Sequence, residues 1–289
     1  MQEKHLSGGY MIKAPVNKII PFSNVDGPGN RFAIFFQGCP FQCLFCHNPE
    51  TIHLCNHCGT CVTNCPVAAL SIEEGSVLYN AELCVQCDTC IRVCPSLSSP
   101  KVRNMSVKDI LEELKPVRPY IRGITVSGGE SMVQAPFLLE LFTEVKKLGL
   151  TSLIDTNGYF DFAQYEELLD LSDGVMLDVK AINLQFHQEM VFASNETVIK
   201  NLHFLLQKKK LVEARTIVFS GFTRQNEETV AETAKIIQNE CIYRISRYRK
   251  YGVRADGIAY FGERSPTDEE MNELAELAKN HGALNVKIV

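Results

Sequence analysis

The sequence predicts an α/β fold in which six β/α units form a partial barrel, interrupted near its start by a small cysteine-rich module. Short apolar, β-branched runs alternate with amphipathic segments of helical length, the pattern of a parallel sheet with crossover helices. Eleven of the twelve cysteines crowd between Cys39 and Cys94, which sets a thiol-rich stretch apart from an ordinary globular remainder. Without residues 52–99 about 241 of the 289 residues remain, roughly the size of a β/α barrel.

The predicted strands are RFAIFF, centred on 32–36, then 123–126 (GITV), 151–154 (TSLI), 174–177 (GVML), 214–219 (ARTIVF) and 241–245 (CIYRI). Between them APFLLELFTEVKKL, SNETVIKNLHFLLQKK and NEETVAETAKIIQN carry apolar residues at helical spacing. Four polar motifs follow four of the strands: the loop of Cys39, Cys43 and Cys46, then Ser127-Gly128-Gly129-Glu130, Asp155-Thr156-Asn157-Gly158 and Asp178-Val179-Lys180. All four fall at carboxyl ends of strands, the face on which barrel enzymes build their active sites. Glycines in SGGE let backbone approach a ligand, and Glu130 or a strand-end carbonyl could accept from an ammonium group.

Composition narrows the function. Hydrophobic residues at 45% and charged residues at 22% fit a globular chain. No apolar run reaches the ~18 residues of a membrane span, and the opening residues lack a cationic start followed by an apolar core, so a cytoplasmic protein without a membrane partner is expected. With 29 basic against 34 acidic side chains the net charge is -5, which argues against general attraction to nucleic acid. The basic, aromatic stretch IYRISRYRKYGVR reads as a solvated or partner-facing loop.

Clustered thiols in a chain with no export signal read as metal ligands before disulfides. Cys55, Cys58, Cys61 and Cys65, and then Cys84, Cys87, Cys90 and Cys94, both spell CxxCxxCxxxCP at a constant offset of 29 residues. This is iron–sulfur spacing; structural zinc, which favours paired CxxC knuckles, is the weaker alternative. About 48 residues are too few for a full apolar core, so bound clusters should fold the insert. Cys39, Cys43 and Cys46 are spaced CxxxCxxC with no unassigned cysteine nearby. Three thiolates leave one iron of a four-iron cluster open to a non-protein ligand, unless the triad is a degenerate zinc site or a damaged ferredoxin motif. Cys241 stands alone and reads as a core thiol.

The string VDGPGNRFAIFFQGCPFQCLFCHNPE at 25–50, with Phe45 directly before Cys46, resembles the radical S-adenosylmethionine superfamily. Within it the string resembles the activating enzymes of glycyl radical enzymes, of the pyruvate formate-lyase activase type. KIIPFSNVDGPG, SVKDIL, GITVSGGE and the eight-cysteine insert are similar to the YjjW-like subgroup. The resemblance is strong to about residue 181 and weaker beyond.

The resemblance implies a partial (β/α)6 radical SAM barrel over 1–51 and 100–289, with a ferredoxin-like insert at 52–99. It implies an anaerobic oxidoreductase with three 4Fe-4S clusters. Cys39, Cys43 and Cys46 would hold the catalytic cluster. The insert pairing would be crossed, Cys55, Cys58, Cys61 and Cys94 on one cluster and Cys84, Cys87, Cys90 and Cys65 on the other, as in two-cluster ferredoxins. S-adenosylmethionine would be met by Phe45, Asn48, Gly128, Gly129, Glu130, Asp155, Asp178 and Lys180. A monovalent cation, Na+ or K+, would sit among Asp155, Thr156, Asp178 and the Met176 carbonyl. Arg249 stands where relatives often carry a histidine that contacts the cofactor, and Asp26 would grip the glycine segment of a partner glycyl radical enzyme. A flavodoxin or ferredoxin would supply electrons. His47 reads either as cluster packing or as a proton-transfer group. Two alternatives stay open: a radical SAM enzyme acting on RNA or a small metabolite, and an electron carrier that binds no S-adenosylmethionine.

Overall fold

A computed structural model describes residues 12–289; residues 1–11, on which the expectation of no export signal rests, lie outside them. The strands are β1 (Lys13–Ser23), β2 (Arg31–Phe36), β3 (Leu70–Glu73), β4 (Ser76–Tyr79), β5 (Arg103–Ser106), β6 (Gly123–Gly128), β7 (Thr151–Thr156), β8 (Gly174–Asp178), β9 (Leu211–Val218), β10 (Ile242–Arg247) and β11 (Val286–Ile288). The helices are α1 (Thr60–Thr63), α2 (Thr89–Arg92), α3 (Val107–Leu114), α4 (Ala135–Lys147), α5 (Glu166–Leu171), α6 (Leu184–Val191), α7 (Glu196–Gln207), α8 (Thr223–Ile237), α9 (Ala255–Phe261) and α10 (Asp268–Asn280).

Nine strands form one sheet in the order β11-β10-β9-β8-β7-β6-β2-β1-β5. From β2 through β11 every neighbouring pair is parallel. Their order follows the chain and never reverses, which separates a barrel-type winding from a doubly wound sheet. The six predicted strands are β2, β6, β7, β8, β9 and β10. Three were not predicted: β1 and β5, which extend the sheet antiparallel beside β2, and β11 at the far edge.

Register levels the strand ends. Phe36 lies opposite Gly128, Asp155 opposite Met176, Asp178 opposite Arg215, and Arg215 opposite Arg244. The loops leaving β2, β6, β7 and β8 therefore emerge side by side. Helices cover the sheet through apolar stripes. In α4, Phe137, Leu138, Leu141, Phe142 and Val145 are buried at the i, i+4 spacing of one face, each worth ~1.5–3 kcal/mol of burial. Capping boxes start α3 at Ser106 and Asp109 and α10 at Thr267 and Glu270, satisfying helix-end donors that nothing else would meet.

Between Ile52 and Pro100 the chain leaves the sheet. A His53–Ser98 bridge and a bond from Ser99 N to Glu50 O (3.1 Å) tie its two ends together. Its own buried cluster is small: Cys61, Leu70, Val77 and Cys90. The sequence repeat is also a conformational one. α2 is α1 moved on by 29 residues, and the left-handed residues His57, Gly59 and Ala68 recur as Gln86, Asp88 and Leu97. No helix among the described residues is long and apolar enough to cross a membrane.

Candidate active site

A cavity of about 380 Å³ opens where these strand ends converge. Its lining joins Cys39, Cys43, Phe45 and Cys46 to Gly128, Gly129 and Glu130, to Asp155 and Thr156, and to Asp178 and Lys180. Residues from four separate stretches of sequence thus face one space.

The triad loop is fixed before any cofactor is considered. Gly38 N and Cys39 N donate to Thr51 O (2.8 Å) and Ile52 O (3.0 Å), while Leu44 N donates to Met190 O (2.9 Å). Phe45 packs edge-on against Phe219 (5.2 Å) and Phe261 (5.8 Å). Close approach demands glycine nearby: a Cβ on Gly129 would stand 2.3 Å from Gly38 O. Burial pushes the Cys43 thiol up to about 12, and burial likewise raises Cys39 and Cys46. Thiols so placed become ligands only where a positive centre offsets the loss of water. Asn157 Nδ2 reaches Cys39 Sγ at 3.4 Å.

Glu130 has a fuller set of protein partners than its motif suggests. Its carboxylate accepts from Met132 N (3.0 Å), Thr156 Oγ1 (2.8 Å) and Asn157 N (2.7 Å), bracing the β6 loop against the β7 loop. Burial still raises its pKa to about 7. The two aspartates are also paired. Asp178 Oδ2 lies 2.7 Å from Lys180 Nζ, and Asp155 Oδ1 lies 2.8 Å from Arg215 Nη1; Asp155 Oδ2 accepts from Ser127 Oγ (3.0 Å). Burial and the neighbouring Asp178 hold Asp155 above the usual carboxylate range, against the pull of Arg215. Burial pulls Lys180 down, but Asp178 and Cys43 outweigh it and its net shift is upward. The Lys180 ammonium also stands over the Phe45 ring, 5.7 Å from its centroid.

Sequence reasoning missed the arginine side. Glu213, almost fully buried, holds Arg215 and Arg244, so an ion ladder runs Arg244–Glu213–Arg215–Asp155 across three strands. The signal was legible as charged residues alternating along the otherwise apolar LVEARTIV. Met176 is buried and is not among the residues lining the cavity; its sulfur lies 3.0 Å from Arg215 Nη2.

Three expected residues stand apart. Asn48 is exposed and outside the lining, its carbonyl accepting from Thr51. Arg249 is exposed too, and only its main chain is engaged, as acceptor from His47 Nε2 (2.8 Å); Arg244, Ser246 and Arg247 of β10 take the wall instead. The physical reason is position: β10 ends at Arg247, and Arg249 lies two residues beyond the strand that aims those side chains at the cavity. Asp26 is half-buried, bonded to Ser23 Oγ, while its carbonyl accepts from Thr125 Oγ1 (2.6 Å); its neighbour Val25 lines the cavity.

In the insert, backbone N–H groups point at sulfurs: His57 N at Cys55, Gln86 N at Cys84, Ala69 N at Cys65 and Ser98 N at Cys94, at 3.2–3.4 Å. Such donors suit thiolate ligands of an iron–sulfur cluster. Cys65 lines one small cavity with Cys84, Cys87 and Cys90. Burial raises the pKa of Cys61, and Cys55, Cys90 and Cys94 all lie close enough to add to it. Cys241 is buried in the main core.

A sequence-family model described as the radical SAM superfamily matches residues 33–237. The choline trimethylamine-lyase activating enzyme of Oleidesulfovibrio alaskensis is 31% identical over 234 residues, covering 75% of this chain and 76% of that one. The pyruvate formate-lyase-activating enzyme of Staphylococcus aureus is 26% identical over 96% of this chain and the whole of that protein. In fold alone, the crystal structure of QueE from Escherichia coli is similar with a TM-score of 0.53 at 12% identity, covering 96% of this chain and 94% of that one.

Proposed function

Given that the chain belongs to the radical SAM superfamily, among its glycyl-radical enzyme activating enzymes, we propose that it activates a partner glycyl radical enzyme from the cavity described above. Its family implies a 4Fe-4S cluster and S-adenosylmethionine, and the donor set fits both. Three thiols face the cavity, and among the described residues no other cysteine lines it, so one iron of a cubane is left for a non-protein ligand. That count carries the reading. When bound, the reduced cluster and S-adenosylmethionine supply a 5′-deoxyadenosyl radical, the species that takes a hydrogen atom from a glycine of the partner.

The chain's own residues bind, orient and exclude water. Cys39, Cys43 and Cys46 hold the cluster and Phe45 seals it from the aromatic side. Gly128 and Gly129 let main chain approach the cofactor. Glu130 keeps the β6 and β7 loops in contact, so its role is to position rather than to offer a free carboxylate. Lys180 and Arg215 place two cations opposite the thiols, where the carboxylate of a methionyl group would be neutralised. A Na+ or K+ held by Asp155, Thr156, Asp178 and the Met176 carbonyl would use hard oxygen ligands and would share the two aspartates with their partners Arg215 and Lys180.

The insert, residues 52–99, carries two further 4Fe-4S clusters in this reading, making three. The shared cavity of Cys65 with Cys84, Cys87 and Cys90 supports the crossed pairing. A flavodoxin or ferredoxin delivers the electron, and Asp26, next to Val25 of the cavity lining, meets the partner's glycine segment. The test is anaerobic: reconstituted protein, reductant and S-adenosylmethionine should give 5′-deoxyadenosine, and an electron paramagnetic resonance doublet should develop on the added glycyl radical enzyme. Failure to form 5′-deoxyadenosine with all components present removes the reading.

A further inference from the structure

The insert repeats itself, and its two halves differ in charge at one place. The 29-residue offset that superposes the cysteines also carries Gly59 onto Asp88 and Ile72 onto Lys101. In each half the second residue lies over the first. The Ile72 Cδ1 methyl comes within 2.6 Å of where a Gly59 Cβ would stand; Lys101 Nζ lies 2.7 Å from Asp88 Oδ1. A methyl on one side is answered by an ammonium on the other. Asp88 keeps the left-handed conformation of its glycine counterpart, at φ 56°, a position L residues other than glycine occupy at a cost of ~1–2 kcal/mol.

The pair is polarised toward the thiols. The Lys101 side chain is 12% exposed and that of Asp88 is 55% exposed, so water screens the carboxylate far more than the ammonium. Lys101 lines the same small cavity as Cys65, Cys84, Cys87 and Cys90. A second bond, to Gln86 Oε1 at 3.1 Å, fixes it there.

Resting on the two-cluster reading of the insert, we propose that Lys101 makes those clusters electronically unequal. The cluster held by Cys65, Cys84, Cys87 and Cys90 accepts an electron at a higher potential than the one held by Cys55, Cys58, Cys61 and Cys94. Each couple takes up one electron from a low-potential reductant such as dithionite, with no bond made or broken. The added negative charge is stabilised by a cation held close in a poorly hydrated site, and net charge around a cluster is one of the levers on its potential. An electron entering the insert therefore rests on the Lys101 side.

The experiment is a redox titration of the reconstituted full chain, followed by electron paramagnetic resonance, with iron analysis of each sample. Wild-type protein should show two distinct midpoints for the insert. Lys101→Ile, which copies Ile72, should lower the higher midpoint by about tenfold in the reduction equilibrium, ~59 mV for one electron, and leave the other in place. Lys101→Arg should keep the wild-type value, and Ile72→Lys should raise the lower midpoint. Unchanged midpoints in Lys101→Ile at wild-type iron content overturn the proposal. So does loss of a whole cluster from that variant, because Lys101 would then support assembly and not potential. Wild-type protein holding only about four irons per chain would instead defeat the two-cluster reading itself.

Discussion

In the triad loop, Cys39, Cys43 and Cys46 are set among packed aromatics and anchored by main-chain bonds to two other segments, whereas the eight cysteines of the insert surround a buried cluster of four residues, two of them cysteines. The first region holds its thiols in place through a core that exists without them. The second has little to hold itself together except what the thiols bind. In the proposed reading the same side chain is a ligand presented by a fold in one region and the material of the fold in the other.

The sharpest way to break this contrast is to remove the triad. Replacing Cys39, Cys43 and Cys46 by alanine should abolish 5′-deoxyadenosine formation while iron falls from about twelve to about eight per chain, three clusters of four becoming two. Iron analysis with a single-turnover assay checks it; residual turnover would show that the cavity is not where the chemistry happens. Removing iron from the whole protein tests the other half. Chelation under anaerobic conditions should expose the amides of 52–99 to hydrogen exchange, because metal binding free energy is folding free energy in so small a module. The strands from β6 to β10 should keep their protection. Uniform loss across both regions would erase the distinction.

How much of this was legible in the sequence follows the same division. Motif spacing gave the insert's repeat because CxxCxxCxxxCP recurs at a constant offset of 29 residues. Periodicity gave the six inner strands because strands buried on both faces read as apolar runs. β1 escaped because KAPVNKIIPFS carries prolines at 15 and 21 and mixes exposed with buried residues, the marks of a non-strand or an edge; yet it pairs on both sides through a bulged register. β11 is three residues long and mostly exposed, too short for any period. On the arginine side Glu213 and Arg215 alternate along β9, but Arg244 belongs to β10 and joins them only through the β9–β10 register. Arg249 was placed by analogy of position along the chain, but it lies beyond the end of β10, whose Arg244, Ser246 and Arg247 line the wall.

A smaller effect should sit at Glu130, the brace between two site loops. Its pKa of about 7 in the fold lies above the 4.5 of the free side chain. The unfolded chain therefore loses this proton first, and stability from this residue, full below about 4.5, is lost as pH rises through 7. Glu130→Gln should remove that slope. It should also cost ~1–3 kcal/mol at low pH, since an amide nitrogen cannot accept from Asn157 N. Urea titrations of both proteins across this range check the sign. A wild-type stability that climbs with pH relative to the variant would mean that Glu130 is held as a carboxylate from the start.

The least expected change distinguishes the two halves of the insert from each other. Gly59 and Asp88 occupy the same left-handed position before α1 and α2, but Gly59 has Ile72 where a Cβ would go, while Asp88 spends its side chain on Lys101. Gly59→Ala should therefore destabilise the insert by more than the ~1 kcal/mol of backbone strain alone, because the Ile72 methyl must move as well. Asp88→Gly removes the strain but also the partner of Lys101, a half-exposed pair worth ~0.2–1 kcal/mol. The two terms nearly cancel, and hydrogen exchange within 52–99 should change little. A large loss of protection in Asp88→Gly would show that the ion pair, and not the backbone conformation, is what the second half of the insert depends on.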